Sequence, residues 1–197
     1  MSIVLASGSS SRRSMLDAAG LEFLVDTPAV DEASVKQAMQ ADGAGPMDVA
    51  EALAEMKARQ VSRRHPNAMV IGADQMLECG GVWFDKPVDL DHAQSHLVAL
   101  RGKKHRLIAS VVVVQNQARQ WHHNDIVTLE MRPFSDAFLR SYLGRAGDAV
   151  LGSVGAYQLE GLGAQLFRRI EGDYFTVLGL PLLPLLDYLR TRGVLPL

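Results

Sequence analysis

Ile3-Val4-Leu5-Ala6-Ser7-Gly8-Ser9-Ser10-Ser11-Arg12-Arg13 changes character within a few residues. A short apolar run, long enough for one buried strand, gives way to small polar residues and then to two arginines. The pattern beyond it predicts a helix from about Ser11 to Ala19, stopped by Gly20. Strand, small-residue loop and helix N-terminus together form an anion-binding arrangement. Backbone N–H groups approach closely where side chains are small, and the helix end adds partial positive charge. Arg12 and Arg13 add planar forks that match phosphate oxygens, and Ser7 and Ser10 add hydroxyl donors. The loop is neither a P-loop, since GxxxxGK[ST] is absent, nor a GxGxxG dinucleotide fingerprint. A solvated arginine pair on a polar loop fits the same residues, so the loop alone leaves both readings open.

Working outward, Phe23 to Val30 reads as a second strand and Ala41 to Pro46 as a loop. Met47 to Arg64 reads as a helix, with Val49, Leu53 and Met56 on one face and Glu55–Arg59 as an i,i+4 ion pair. Ala68 to Ala73 is a continuous apolar run, the mark of a strand buried on both faces, and it ends at Asp74-Gln75. Gly80-Gly81 between Met76-Leu77 and Val82-Trp83-Phe84 predicts a hairpin turn. Asp91 to Leu100 reads as a helix, and Leu107 to Val114 and Ile126 to Met131 as paired strands. Ser135 caps a helix ending near Gly147, Gly152 to Gly163 is glycine-rich, and Leu166 to Ile170 is a strand. Pro181 opens a last helix that ends at Gly193. Strands and helices mix without a dividing linker, which predicts one α/β unit over 1–197, with two lobes.

The 197 residues carry a net charge of −2 and 48% hydrophobic residues, values of a foldable globular chain. The near-neutral sum excludes a long basic surface for duplex nucleic acid, but not a small basic pocket. Cys79 is the one cysteine, so no internal disulfide forms; with 8 methionines this suits a reducing interior. No stretch approaches the ~20 apolar residues of a membrane span, and the opening lacks the charged and apolar regions of a secretory signal. The expectation is a cytoplasmic protein.

The candidate chemistry is acidic and basic together. Asp74, just past a buried strand, is placed to bind Mg²⁺ or orient water, because ligand sites of open α/β sheets gather at strand carboxyl ends. Glu32 after Val30-Asp31 and Glu160 in Tyr157-Gln158-Leu159-Glu160-Gly161 are further acids, and Lys57 and Lys86 are phosphate-ligand candidates. Each also fits a plain structural role: a turn aspartate, a helix N-terminal acid, a surface lysine. His92 and His96, at i,i+4, have no third ligand and read as a surface pair. His122-His123 and Cys79 read as structural or incidental.

Taken in order, these segments resemble the Maf family of nucleoside triphosphate pyrophosphatases. Leu5-Ala6-Ser7-x-Ser9-x-x-Arg12-Arg13-x-x-Leu16 is similar to its opening motif. Val30-Asp31-Glu32, Ala54-x-x-Lys57-Ala58, Gly72-Ala73-Asp74, Lys86-Pro87 and Leu100-x-Gly102-Lys103-x-His105 follow in the family's order. Gly155-Ala156-Tyr157, Glu160-Gly161-x-Gly163, Ile170-Glu171-Gly172-Asp173-Tyr174 and Val177-x-Gly179-Leu180-Pro181-Leu182 complete the match. The resemblance implies an elongated α/β fold, similar to inosine triphosphatase, with a mixed sheet, flanking helices and a cleft between two lobes. It implies hydrolysis of a nucleoside triphosphate to monophosphate and pyrophosphate with a divalent cation, Mg²⁺ or Mn²⁺. Its functional positions fall on Ser7, Arg12, Arg13, Glu32, Lys57, Asp74, Lys86 and Glu160, with Asp74 as the base. A small-molecule nucleotide is the implied partner, without nucleic acid or membrane, and a homodimer is compatible with it.

Three departures stand out. Ser11 replaces a proline usual before the arginine pair, and Asp85 replaces a glycine usual before Lys86-Pro87. Gln75 and Glu160 replace the threonine and glutamine of thymidine- and uridine-preferring members, which makes the chain more similar to the subgroup acting on 7-methyl-GTP. An amide or carboxylate there reads a purine edge, or Glu160 joins Asp74 and Glu32 at the metal. Two rivals remain at this level. One is a nucleotidyltransferase, whose LAAGxSSR loop resembles Leu5 to Arg12; the other is a non-catalytic nucleotide-binding regulator of division or septum formation.

Overall fold

The computed structural model describes residues 2–196. The chain runs β1 (Ile3–Ala6), α1 (Ser10–Ala18), β2 (Leu24–Val25), α2 (Glu32–Ala41), α3 (Pro46–Ser62), β3 (Met69–Cys79), β4 (Val82–Phe84) and α4 (Leu90–Leu100). It continues with β5 (Lys104–Gln115), β6 (Ala118–Met131), α5 (Asp136–Ala146), β7 (Phe167–Glu171), α6 (Tyr174–Val177) and α7 (Leu182–Thr191). Short 3-10 turns occupy much of the stretch between α5 and β7. The strands form one seven-stranded sheet, ordered β2-β1-β3-β5-β6-β7, with β4 paired to β3. The fold is therefore mixed α/β with flanking helices. The chain divides into two compact units. One holds the chain up to Gln75, Ala109–Asp125 and the chain from Tyr174 onward; the other holds Met76–Ile108 and Ile126–Asp173.

In the first unit, alternation along the strands decides which helix covers which face. Ile3 and Leu5 of β1, Met69, Ile71 and Ala73 of β3, and Val111 and Val113 of β5 pack with Met15 and Leu16 of α1 and Leu182, Leu185 and Leu189 of α7. The intervening residues Val4, Ala6, Val70, Val112 and Val114 pack with Ala54, Ala58 and Val61 of α3. β1 pairs in parallel with both neighbours, Leu5 beside Val25 and Ala6 beside Gly72. At Gly72 helix and strand nearly touch: a Cβ there would lie 2.2 Å from the Ala54 carbonyl oxygen and 2.9 Å from the Ala58 nitrogen. Only glycine allows α3 this close.

In the second unit, β4 pairs antiparallel with β3, Leu77 opposite Phe84. Gly80 and Gly81 turn between them with φ of 60° and 86°, the left-handed pair a tight hairpin turn demands. β6 and β7 pair antiparallel, Leu129 opposite Ile170. His105 of β5 hydrogen-bonds the buried Tyr157 hydroxyl through Nε2 at 2.8 Å, and the Tyr142 hydroxyl donates to the Ala156 carbonyl at 3.1 Å. The His105, Gly155, Ala156 and Tyr157 motif positions are thus part of this unit's interior.

Three expectations change. The strand expected over Phe23 to Val30 is only Leu24–Val25. Beyond it the chain is held largely by side chains, and α2 follows with Glu32 as its first residue, the helix N-terminal acid weighed from sequence. The strand expected to end near Ala73 continues to Cys79, since Met76 and Leu77 are again buried; Asp74 stands within β3, not past its end. His96 is no surface residue: it is buried, with Phe84 edge-on to its ring at 5.2 Å.

Candidate active site

The parity of β3 positions the two polar residues in its middle. Asp74 is two residues beyond Gly72 and shares its face, toward α3; Gln75 faces the α6–α7 side. The Gly72 contact brings α3 close, and Lys57 extends from it to Asp74. Lys57 Nζ donates to Asp74 Oδ1 at 2.6 Å and lies 2.7 Å from Glu32 Oε1, so one buried lysine bridges both acids. Glu32 is the first residue of α2, whose N-cap is Asp31, bonded to the Ser34 backbone N–H at 3.1 Å. Its carboxylate therefore serves both roles weighed from sequence: helix N-terminal acid and partner of Lys57.

Burial pushes the Asp74 carboxyl above its ordinary range, against the pull of Lys57 and Arg12. Its Oδ2 is buried without a hydrogen-bond partner. Burial also pushes Glu32 up, but the charge and hydrogen bond of Lys57, aided by Lys36 and Arg12, outweigh it and hold Glu32 below its usual value. The two carboxyls thus diverge, one raised and one lowered, which is how acid–base pairs acquire different roles.

Ser7 is buried at the end of β1, and its Oγ accepts from Ser9 N–H at 3.2 Å and from Arg12 Nη1 at 3.2 Å. Ser9 is the N-cap of α1 and accepts from Arg12 N–H. Arg12 also donates from Nε to the Gly179 carbonyl at 2.8 Å and from Nη1 to the Ala73 carbonyl at 2.9 Å. Burial lowers its pKa, partly offset by the charges of Asp74 and Glu32. Arg12 therefore ties together β1, β3 and the turn before α7 through Nε and Nη1. Gln75 grips the same turn, donating from Nε2 to the carbonyls of Thr176 at 2.9 Å and Val177 at 3.1 Å. Gly179, at φ 95°, lets the turn pass close to both side chains. Arg13 points outward, 66% exposed, with Nε 3.6 Å from Asp17.

The structure so brings Ser7, Arg12, Glu32, Lys57, Asp74 and Gln75 together within the first unit. Lys86 and Glu160 belong to the second unit and are exposed there, Lys86 just after β4 and Glu160 in the turn closed by Gly161 N–H donating to the Gln158 carbonyl. Among the described residues no three or more His, Cys, Asp or Glu cluster as a metal cage. Magnesium needs none: it keeps waters and is held by one or two carboxylates plus substrate phosphates. Asp74, with its unpartnered buried oxygen, and Glu32 fit that requirement.

Sequence reading missed Gln60 of α3 and Arg64 of the turn that closes it, because what they hold lies 31 and 38 residues away in the chain.

The site thus sets a buried lysine between the buried Asp74 and the half-buried Glu32, beside the Ser7–Arg12 loop of a mixed α/β fold. Residues 2–192 match the family described as Maf-like protein, and the chain belongs to that family. It is 58% identical over 192 residues to a protein of Paramagnetospirillum magneticum named nucleoside triphosphate pyrophosphatase, covering 98% of this chain and 99% of that one. It is 48% identical to a 7-methyl-GTP pyrophosphatase of Rhizobium meliloti, covering 98% and 97%. A solved dITP/XTP pyrophosphatase from Mycobacterium abscessus superposes with a TM-score of 0.47 at 14% identity, covering 100% of this chain and 98% of that one. No helix among the described residues is long and apolar enough to cross a membrane.

Proposed function

We propose that the chain hydrolyses the α–β phosphoanhydride of a nucleoside triphosphate, releasing the monophosphate and pyrophosphate. The observation that carries this reading is Lys57 bridging Glu32 and Asp74 beside the Ser7–Arg12 loop. Family membership and full-length relatives of that enzyme class support it. In this reading the whole of 1–197 is one catalytic domain.

Asp74 acts as the base. Burial raises its pKa, which favours proton acceptance over that of an ordinary carboxylate. It takes a proton from water as the water oxygen attacks the α-phosphorus, and pyrophosphate leaves as the P–O bond breaks. Lys57 bridges the two carboxylates and neutralises phosphate charge. Ser7, Arg12 and Arg13 bind the phosphates. Asp74 and Glu32 would hold Mg²⁺ or Mn²⁺, which would supply charge neutralisation at the phosphate oxygens. Lys86 and Glu160 enter on the family pattern.

The preferred substrate in this reading carries a modified purine of the 7-methyl-GTP type, supported by the Gln75 and Glu160 pair and the Rhizobium meliloti relative. Because the Gln75 amide nitrogen is committed to two backbone carbonyls, Gln75 acts by shaping the 176–179 turn that a base would meet.

The test is a pyrophosphate-release screen over ordinary and 7-methylated triphosphates with Mg²⁺ and Mn²⁺, without any acceptor. Pyrophosphate as product supports the reading. Orthophosphate as sole product, or turnover only with an acceptor, rejects it.

A further inference from the structure

The segment leading to Glu32 is fixed in an unusual way. β2 ends at Val25, and Asp26 N–H still reaches the Leu5 carbonyl at 3.1 Å. From there side chains of α3 and of the turn after it take over. Arg64 forks onto Asp26, Nη2 to Oδ1 at 2.7 Å and Nε to Oδ2 at 2.9 Å, and His65 Nε2 lies 2.7 Å from the same Oδ2. Gln60 mimics a strand neighbour at Ala29, accepting its N–H at 2.7 Å and donating to its carbonyl at 3.1 Å. Lys57 then meets Glu32 at 2.7 Å. Lys57 and Gln60 stand three residues apart on α3, and Arg64 lies in the turn that closes it, its N–H bonded to the Val61 carbonyl at 2.9 Å; in that order they face Glu32, Ala29 and Asp26. Between the last two, Thr27 lies where a Cβ on Gly8 would meet its Cγ2 at 3.5 Å, so the same segment also flanks the Ser7-Gly8-Ser9 loop.

We propose that Gln60 and Arg64 are positioning residues: by registering 26–30 on α3 and the turn that closes it, they set where the Glu32 carboxylate stands against Lys57 and Asp74. This rests on the function proposed above. Physically, Glu32 would otherwise sit at the end of a stretch whose last strand-type bond is Asp26 N–H to the Leu5 carbonyl. Gln60 on α3 and Arg64 in the turn bonded back to Val61 are both tied to one helix, so the two pins fix the third contact. Gln60 matters for its two-sided amide and Arg64 for its planar fork; neither function transfers to a residue merely similar in size or charge.

The test combines kinetics and amide exchange in the full chain. Gln60→Leu removes both bonds to Ala29; Gln60→Glu keeps the acceptor and loses the donor; Arg64→Lys loses the fork. Gln60→Leu is expected to lower kcat about tenfold to a hundredfold, as displacement of a reacting group does, with KM changing less. Gln60→Glu and Arg64→Lys fall between it and wild type, and keep the test open should Gln60→Leu not fold. The decisive readout is a cycle with Glu32→Gln: in that background Gln60→Leu costs little further, because what it positions is already gone. An equal loss in both backgrounds, or none in the wild type, overturns the proposal. Exchange at the Ala29 amide should quicken at least about tenfold in Gln60→Leu while β3 stays protected; unchanged exchange at Ala29 overturns it too. Were the wild-type chain inactive on every triphosphate, the proposed function would fall, and the exchange result alone would decide the clamp.

Discussion

Lys57 Nζ sits 2.6 Å from Asp74 Oδ1, while the other Asp74 oxygen is buried with no hydrogen-bond partner. Half of the carboxylate is committed to a cation and half is held available, out of bulk water. Removing the lysine leaves Asp74 and Glu32 close together without the cation that bridges them, Arg12 and Lys36 acting only through charge. Lys57→Met should therefore cost about 3–5 kcal/mol of stability, the range for breaking a buried pair. Asp74→Asn leaves Lys57 its Glu32 partner and should cost less than about 2 kcal/mol. Urea unfolding of the two variants checks the order; equal costs would show that the pair is not what holds this region.

Gly72 is the second lever. A Cβ at 2.2 Å from the Ala54 carbonyl forces α3 off β3, and Lys57 with it. Gly72→Ala should destabilise by about 3 kcal/mol or more and abolish turnover. Gly144, exposed within α5 with open space around it, is the control: Gly144→Ala should stabilise by about 0.5–1 kcal/mol. Thermal melts of both report the contrast.

The two arginines of the loop should separate cleanly. Arg12 is bonded to Ser7, Ala73 and Gly179, and a lysine cannot make that set of contacts. Arg12→Lys should lower the melting temperature by several degrees as well as raising KM. Arg13 is exposed and its contact with Asp17 is of the surface kind, worth little. Arg13→Ala should leave the melting temperature unchanged and raise KM for the triphosphate about tenfold. A large loss of stability in Arg13→Ala would contradict this division.

The second unit carries a pH dependence. Burial lowers His105 from 6.5 to about 4, so the folded state resists a proton that the unfolded chain accepts. The folded pKa lies below the unfolded one, so stability is full above about pH 6.5 and is lost as pH falls toward 4. A shift of this size corresponds to roughly 3 kcal/mol. Denaturation midpoints between pH 7 and pH 4 should show the decline, and His105→Leu should flatten that part of the curve.

Much of this was legible in the sequence. The apolar run at Ala68 to Ala73, the Gly80-Gly81 turn and the Ser135 cap all reappear, because each is a local signal with its cause in a few adjacent residues. The order of Ser7, Arg12, Glu32, Lys57 and Asp74 pointed to one site. What was not legible depends on contacts distant in sequence. Phe23 to Val30 carries strand-like residues, yet after Val25 its bonds go to Gln60 and Arg64, which no local pattern reveals. Arg12 and Gln75 read as ligand-facing residues, but much of their bonding capacity is spent on backbone carbonyls near Gly179, more than a hundred residues away in the chain.

The central claim is that water, activated by Asp74, attacks the α-phosphorus. Hydrolysis in ¹⁸O-labelled water with Mg²⁺, followed by mass spectrometry of both products, tests it most directly. The account predicts one labelled oxygen in the nucleoside monophosphate, unlabelled pyrophosphate, and loss of nearly all turnover in Asp74→Asn with nucleotide binding retained. Label in the pyrophosphate, orthophosphate in its place, or undiminished turnover by Asp74→Asn would contradict it.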